Sequence, residues 1–132
     1  GHPNSIDSNK RPLHTIIPGL LTDKDGQTTM SYGVMGGQYQ PIGQSHVLQN
    51  IFEFGMSLQE AIDTQRAFAL NGKLKVESSF SSTLIEDLSR LGHEIEITKD
   101  GIGGGQGIMI DRKEGVLIAG SDPRKDGLAI GY

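Results

Sequence analysis

Gly36 and Gly37 are the first residues of this sequence whose placement suggests chemistry, because they follow the strand-like run 28–34. Two residues without Cβ atoms let a backbone approach a ligand closely and turn its N–H groups toward it. Donors arranged in this way stabilise the negative oxygen that develops on a reacting carbonyl. On the residues alone a tight turn between a strand and a helix explains the pair better, since glycine is the default turn residue.

A second glycine-rich stretch is Gly101-Ile102-Gly103-Gly104-Gly105-Gln106-Gly107. Phosphate binding would require such glycines to open a helix inside a βαβ unit. Here they run into Ile108-Met109-Ile110 without a following Lys-Ser or Lys-Thr pair, so the stretch is expected to be a flexible loop.

Other chemistries find little support. His2, His14, His46 and His93 contain no i,i+4 pair, and no cysteine is present, so neither a helical metal site nor a thiolate nucleophile is expected. No G-x-S-x-G motif occurs. Glu94 and Glu96 share one face of an alternating segment and read as a solvated face. Asp122-Pro123-Arg124 reads as a structural turn with an ion pair, ahead of any functional role.

The elements that must position these residues follow from periodicity and punctuation. Leu13-His14-Thr15-Ile16-Ile17, between Pro12 and Pro18, together with Leu20-Leu21-Thr22, predicts an extended first strand. Asp23-Lys24-Asp25-Gly26 turns the chain into a returning strand over 28–34, making a hairpin. Val47, Leu48, Ile51 and Phe52 share a helical face and predict a helix over 44–54, closed by Gly55. Ser57 with Glu60 is a capping box opening a second helix, whose inner face is Leu58, Ala61 and Ile62.

Short strands are expected at 66–70 and 74–77, around Asn71-Gly72. Ser81 caps a third helix reaching Leu91, with Leu84, Leu88 and Leu91 on one face. Strands at 94–98, 107–111 and 116–119 complete the order. The sum is a single α+β domain over 1–132, with helices packed on a mostly antiparallel sheet.

Composition limits the function classes. The chain has 132 residues and a net charge of −4, from 12 basic and 16 acidic side chains without a basic stripe, so no nucleic acid is expected as a partner. No segment approaches the ~20 apolar residues of a membrane span. Aromatic residues make up only 5% and Trp is absent, so part of the apolar surface is expected to be covered by another chain.

Three stretches in order resemble one family. They are Arg11-Pro12-Leu13-His14-Thr15-Ile16-Ile17-Pro18, Gly33-Val34-Met35-Gly36-Gly37-Gln38, and Gly120-Ser121-Asp122-Pro123-Arg124 with the terminal Gly131-Tyr132. Together with 54–68, they resemble the C-terminal part of the small subunit of γ-glutamyltranspeptidases over nearly the whole chain.

The resemblance implies an N-terminal-nucleophile hydrolase with an αββα sandwich, formed by self-cleavage of a precursor into large and small subunits. It implies a Thr that attacks a γ-glutamyl amide such as glutathione, with its own α-amino group as base and no metal or organic cofactor. It assigns Gly36 and Gly37 to the oxyanion hole. His14 and Thr15 fall where many members bind substrate with a Ser-Ser pair. Thr15 keeps a hydroxyl and His14 does not, which points toward the acylase-like branch. The nucleophile is expected upstream of the segment matched by residues 1–11. The expected partners are therefore a large subunit and the nucleophile-bearing N-terminal part of the small subunit. The alternative is an inactive fragment with a structural or interaction role.

Overall fold

Asp23 makes the first turn as its side chain allows: Oδ1 accepts the N–H groups of Asp25 and Gln27, both at 2.9 Å, and Gly26 takes φ 78°. The computed structural model, which describes residues 1–132, thereby joins strand β1 (Gly19–Thr22) to β2 (Thr28–Met35) as an antiparallel hairpin. The expected first strand is shorter than its sequence suggested. Residues 13–17 lie outside any sheet and are exposed. Pro18 has no N–H to give a ladder, and the Thr15 and Ile17 carbonyls accept instead from the side chains of Gln40 and Gln44.

Helix α1 (Gln40–Phe52) begins four residues before its expected start, because Pro41 is tolerated in a first helical turn. It ends before Gly55, whose φ is 68°. Helix α2 (Leu58–Asp63) carries the expected capping box: Glu60 N–H donates to Ser57 Oγ at 3.3 Å, and Ser57 N–H donates to Glu60 Oε2 at 2.8 Å. Strands β3 (Ala67–Leu70) and β4 (Lys73–Glu77) form a second hairpin through Asn71 and Gly72, both at positive φ. Helix α3 (Ser82–Arg90), capped by Ser81, then carries the chain to β5 (Ile95–Thr98), which pairs parallel to β4. Glu94 and Glu96 form surface ion pairs with Lys73 and Lys75, in agreement with a solvated face.

The final hairpin, β6 (Gly104–Asp111) and β7 (Val116–Ser121), returns to the first sheet. That sheet runs β1-β2-β6-β7 and is wholly antiparallel, whereas β3-β4-β5 is a separate mixed sheet. Met30, Tyr32 and Val34 alternate inward from β2 and meet Val47 of α1, and Leu58, Ala61 and Ile62 of α2. Tyr39 and Ile102 complete this core.

The glycine-rich stretch departs from the flexible loop expected of it. Gly104, Gly105 and Gly107 are buried in β6. The reason is the helix above them. A Cβ on Gly107 would lie 3.1 Å from Leu58 Cδ1, one on Gly105 3.3 Å from Ile62 Cγ1, and one on Gly120 2.9 Å from Leu58 Cγ. Missing side chains let α2 rest directly on the sheet. Gly120→Ala is therefore expected to destabilise the protein by about 1–3 kcal/mol through overpacking. In urea denaturation its combination with Leu58→Ala should cost less than the sum of the two single changes.

Candidate functional site

The end of β2 is where the chain leaves ordinary backbone geometry. Gly36 has φ 137° and Gly37 φ 59°, a region that side chains disfavour. Tyr39 N–H donates to Gly36 O at 3.1 Å, closing a 3-10 turn over Gly37–Tyr39 that leads into α1. A Cβ on Gly36 would lie 3.1 Å from the Cα of Gly103, so two glycines meet here, one from each side. The N–H of Gly36 has no acceptor within the chain.

This turn borders a groove of about 520 Å³. Residues 15–18 form one wall, the end of β2 and the glycine pair form another, and Gln40, Gly104 and Gln106 complete the lining. No lining residue is charged. The structure brings Thr15, Gly36 and Gly37 to one groove. His14 is exposed and does not line it.

Gln40, which sequence reasoning missed, holds the groove together. Its Nε2 donates to Thr15 O at 2.8 Å and to Gly37 O at 3.2 Å, strapping the 15–18 wall to the glycine turn. Gln44, one helical turn on, does the same for Ile17. The available signal was a pair of glutamines spaced i,i+4 at the start of a helix. Gln106 is fixed on the groove floor by Ser121, whose Oγ donates to its Oε1 at 2.6 Å.

Behind the groove lies a buried charge network that the sequence showed only in part. Asp122-Pro123-Arg124 does form a structural turn with ion pairs. Its partners, however, are Arg66 and Glu77, neither of which sequence reasoning had singled out as charged partners. Arg66 is 1% exposed and Asp122 0%. Arg66 Nη2 lies 2.7 Å from Asp122 Oδ2, and its other donors reach Ile102 O and Ile62 O, both at 2.8 Å. Arg124 grips Glu77 with two nitrogens, Nε at 2.6 Å and Nη2 at 2.7 Å. It also donates to the carbonyls of Ile62, Asp63 and Thr64 and so caps the C-terminal end of α2. Gly105 N–H donates to Asp122 Oδ2 at 2.6 Å, which connects the network to the strand beside the groove.

Burial alone would raise the pKa of both carboxylates. For Glu77 the hydrogen bonds from Arg124 and from the Ile102 N–H overcome it. For Asp122 the N–H groups of Gly105 and Arg124, with the Arg66 charge, do the same. Both acids are held below their ordinary values, and the hydrogen bond with Glu77 raises Arg124. His46, half-buried on α1, has its pKa lowered by burial and then by the charges of Arg66 and Arg124.

Acids with depressed folded pKa values stabilise the fold fully above the ordinary carboxylate range, and that contribution disappears as pH falls through the depressed values. Stability is thus expected to begin falling below roughly pH 4. Asp122→Asn should flatten that dependence in urea titrations at a series of pH values. At neutral pH, Arg66→Met should cost about 3–5 kcal/mol, because it leaves a buried carboxylate short of its partner.

Comparison with known proteins adds a second line. A family profile described as Gamma-glutamyltranspeptidase matches residues 1–132. The chain is 34% identical over 140 residues to the Glutathione hydrolase-like YwrD proenzyme of Bacillus subtilis (strain 168), covering 98% of this chain and 26% of that protein. It is 32% identical over 139 residues to the Oxamate amidohydrolase proenzyme of Klebsiella pneumoniae, covering 99% of this chain and 26% of that protein. The crystal structure of cephalosporin acylase from Bacillus halodurans superposes with a TM-score of 0.82 at 39% identity, over 99% of this chain and 25% of that one. The chain spans about a quarter of the length of the curated relatives it matches.

Proposed function

Since the chain belongs to the γ-glutamyltranspeptidase family, we propose that it forms the oxyanion-binding half of an amidohydrolase or acyltransferase whose N-terminal Thr nucleophile lies on another segment. The observation that carries this reading is the glycine pair at positive φ, with a free Gly36 N–H beside an uncharged groove. In the proposed reaction the Thr hydroxyl attacks the amide carbonyl, and its proton passes to the α-amino group of the same Thr. The carbonyl oxygen becomes anionic and takes the N–H groups of Gly36 and Gly37. Collapse expels the amine, which takes the proton held on the α-ammonium group, and leaves an acyl-enzyme that water or an acceptor amine then resolves.

The proposed partners are a large subunit and the nucleophile-bearing part of the small subunit. The fold is part of an N-terminal-nucleophile hydrolase αββα sandwich, built here of a wholly antiparallel four-stranded sheet with α1 and α2 on one side. The opposite face of that sheet exposes Leu20, Met35, Ile108 and Leu117. Such an apolar face suits a second sheet packed about 10 Å away.

The acyl group has two readings. One is γ-glutamyl, as in glutathione. The other is a different amide, cleaved by an acylase-like member. The second is favoured by His14 standing where many members have a serine, and by a groove lining without a charged side chain. Relatives named for oxamate and cephalosporin chemistry point the same way.

The test is to assay the complete protein on a γ-glutamyl anilide and on a panel of other acyl amides. Turnover of at least one is expected, with none from the isolated chain. No turnover of any by the complete protein would favour a purely structural role. In the complete protein, Gly36→Pro removes one donor and should lower kcat by about 10²–10³. An unchanged kcat in a folded variant removes the oxyanion assignment.

A further inference from the structure

Tyr39 is 2% exposed, yet it follows the exposed glycine pair by only two residues. Its ring occupies space that three glycines leave open. A Cβ on Gly43 of α1 would lie 2.6 Å from Tyr39 Cε1, one on Gly103 2.7 Å from Cδ1, and one on Gly36 3.3 Å from Tyr39 Cβ. Phe68 of β3 meets the far side edge-on, with ring centroids 5.4 Å apart at 72°. The Tyr39 hydroxyl is buried and makes no hydrogen bond. A buried hydroxyl without a partner costs stability, so the shape of the ring accounts for the residue better than its polar end does.

Gly36 has no hydrogen bond through its own N–H. Its peptide is oriented by what surrounds it: the bond from Tyr39 N–H to its carbonyl, the Tyr39 side chain on one side and the Gly103 backbone on the other. We infer that Tyr39 is a positioning residue for the reaction, a wedge that aims the Gly36 N–H into the groove by holding the Gly36 and Gly103 backbones at a fixed separation. Tyr39 does not line the groove, so it acts through Gly36 and not on substrate. The inference rests on the oxyanion reading of Gly36.

The test compares variants of the complete enzyme on whichever amide it turns over. Tyr39→Phe keeps the wedge and should stay within about twofold of the parent kcat. Tyr39→Leu narrows it and should lower kcat by about tenfold or more, with KM changed by less than about twofold, as expected when a donor is misplaced at the transition state. Leu58→Val, in the same core but packed on Gly107 and Gly120, should lower Tm and leave kcat unchanged.

An unchanged kcat in folded Tyr39→Leu overturns the inference. So does a Tyr39→Phe loss as large as that of Tyr39→Leu, which would assign the role to the hydroxyl. A loss of kcat in Leu58→Val equal to that in Tyr39→Leu would mean general loosening and would also overturn it. If Tyr39→Leu is recovered unfolded, Tyr39→Met replaces it. Failure of both to fold while Tyr39→Phe folds makes the residue purely structural and overturns the inference. Gly36→Pro separates the two levels. If it abolishes kcat while Tyr39→Leu does not, only the wedge fails. If it leaves kcat intact, the oxyanion reading fails on its own account.

Discussion

Buried Arg66, Glu77 and Asp122, joined by the partly buried Arg124, hold this structure in register. Taking charges from water is expensive, and the cost is offset only when each polar atom finds a partner. Here the formal charges cancel, and the partners come from six places: the end of α2, Arg66 before β3, the end of β4, the loop carrying Ile102, Gly105 of β6, and the turn after β7. The fully buried apolar core cluster draws no member from β3, β4 or β5, so it has limited means to align the two sheets. The network supplies that alignment. A shift of one strand would strand a buried charge, whereas a shift of apolar contacts could be repacked.

From that constraint the groove follows. Asp122 holds Gly105, and Gly105 pairs with Val34, next to the turn that carries Gly36. Glycines along β6 and at Gly120 bring α2 onto the sheet, while the glycines around Tyr39 bring an aromatic ring beneath the turn. The same residue type thus does three jobs in one small volume: close helix packing, backbone curvature at positive φ, and exposure of an N–H. Gln40 then joins the 15–18 wall from the other side, so the groove is bounded by segments far apart in the chain.

What could be read from the sequence was what is local. The capping box of Ser57 and Glu60, the Asp23 turn and the Ser81 cap all declare themselves within four residues, and all formed. Residues 13–17 misled because β-branched composition favours extension but says nothing about a pairing partner, and Pro18 interrupts the ladder. The glycines of 104–107 misled because their reason is a helix that crosses from elsewhere. Arg66 and Glu77 look like ordinary surface charges until Asp122 and Arg124 are placed beside them. Gly36 and Gly37 announced a turn by themselves. Their catalytic reading came from the company of the flanking motifs, and Gln40 was visible only once both walls of the groove existed.

The insertion of β6 between β2 and β7 has a consequence for the order in which the chain can acquire its structure. As synthesis proceeds, the β1–β2 hairpin and the two following helices emerge with the β2 edge unpaired, and Arg66 and Glu77 emerge with their counter-charges still unmade. Contacts of such long sequence separation close slowly. The early part of the chain must therefore wait, with an unpaired strand edge exposed, until residues 104–124 arrive to complete both the sheet and the charge network. Residues 104–124 are thus needed to close both the sheet and the charge network, and until they pair the open β2 edge can accept a wrong strand.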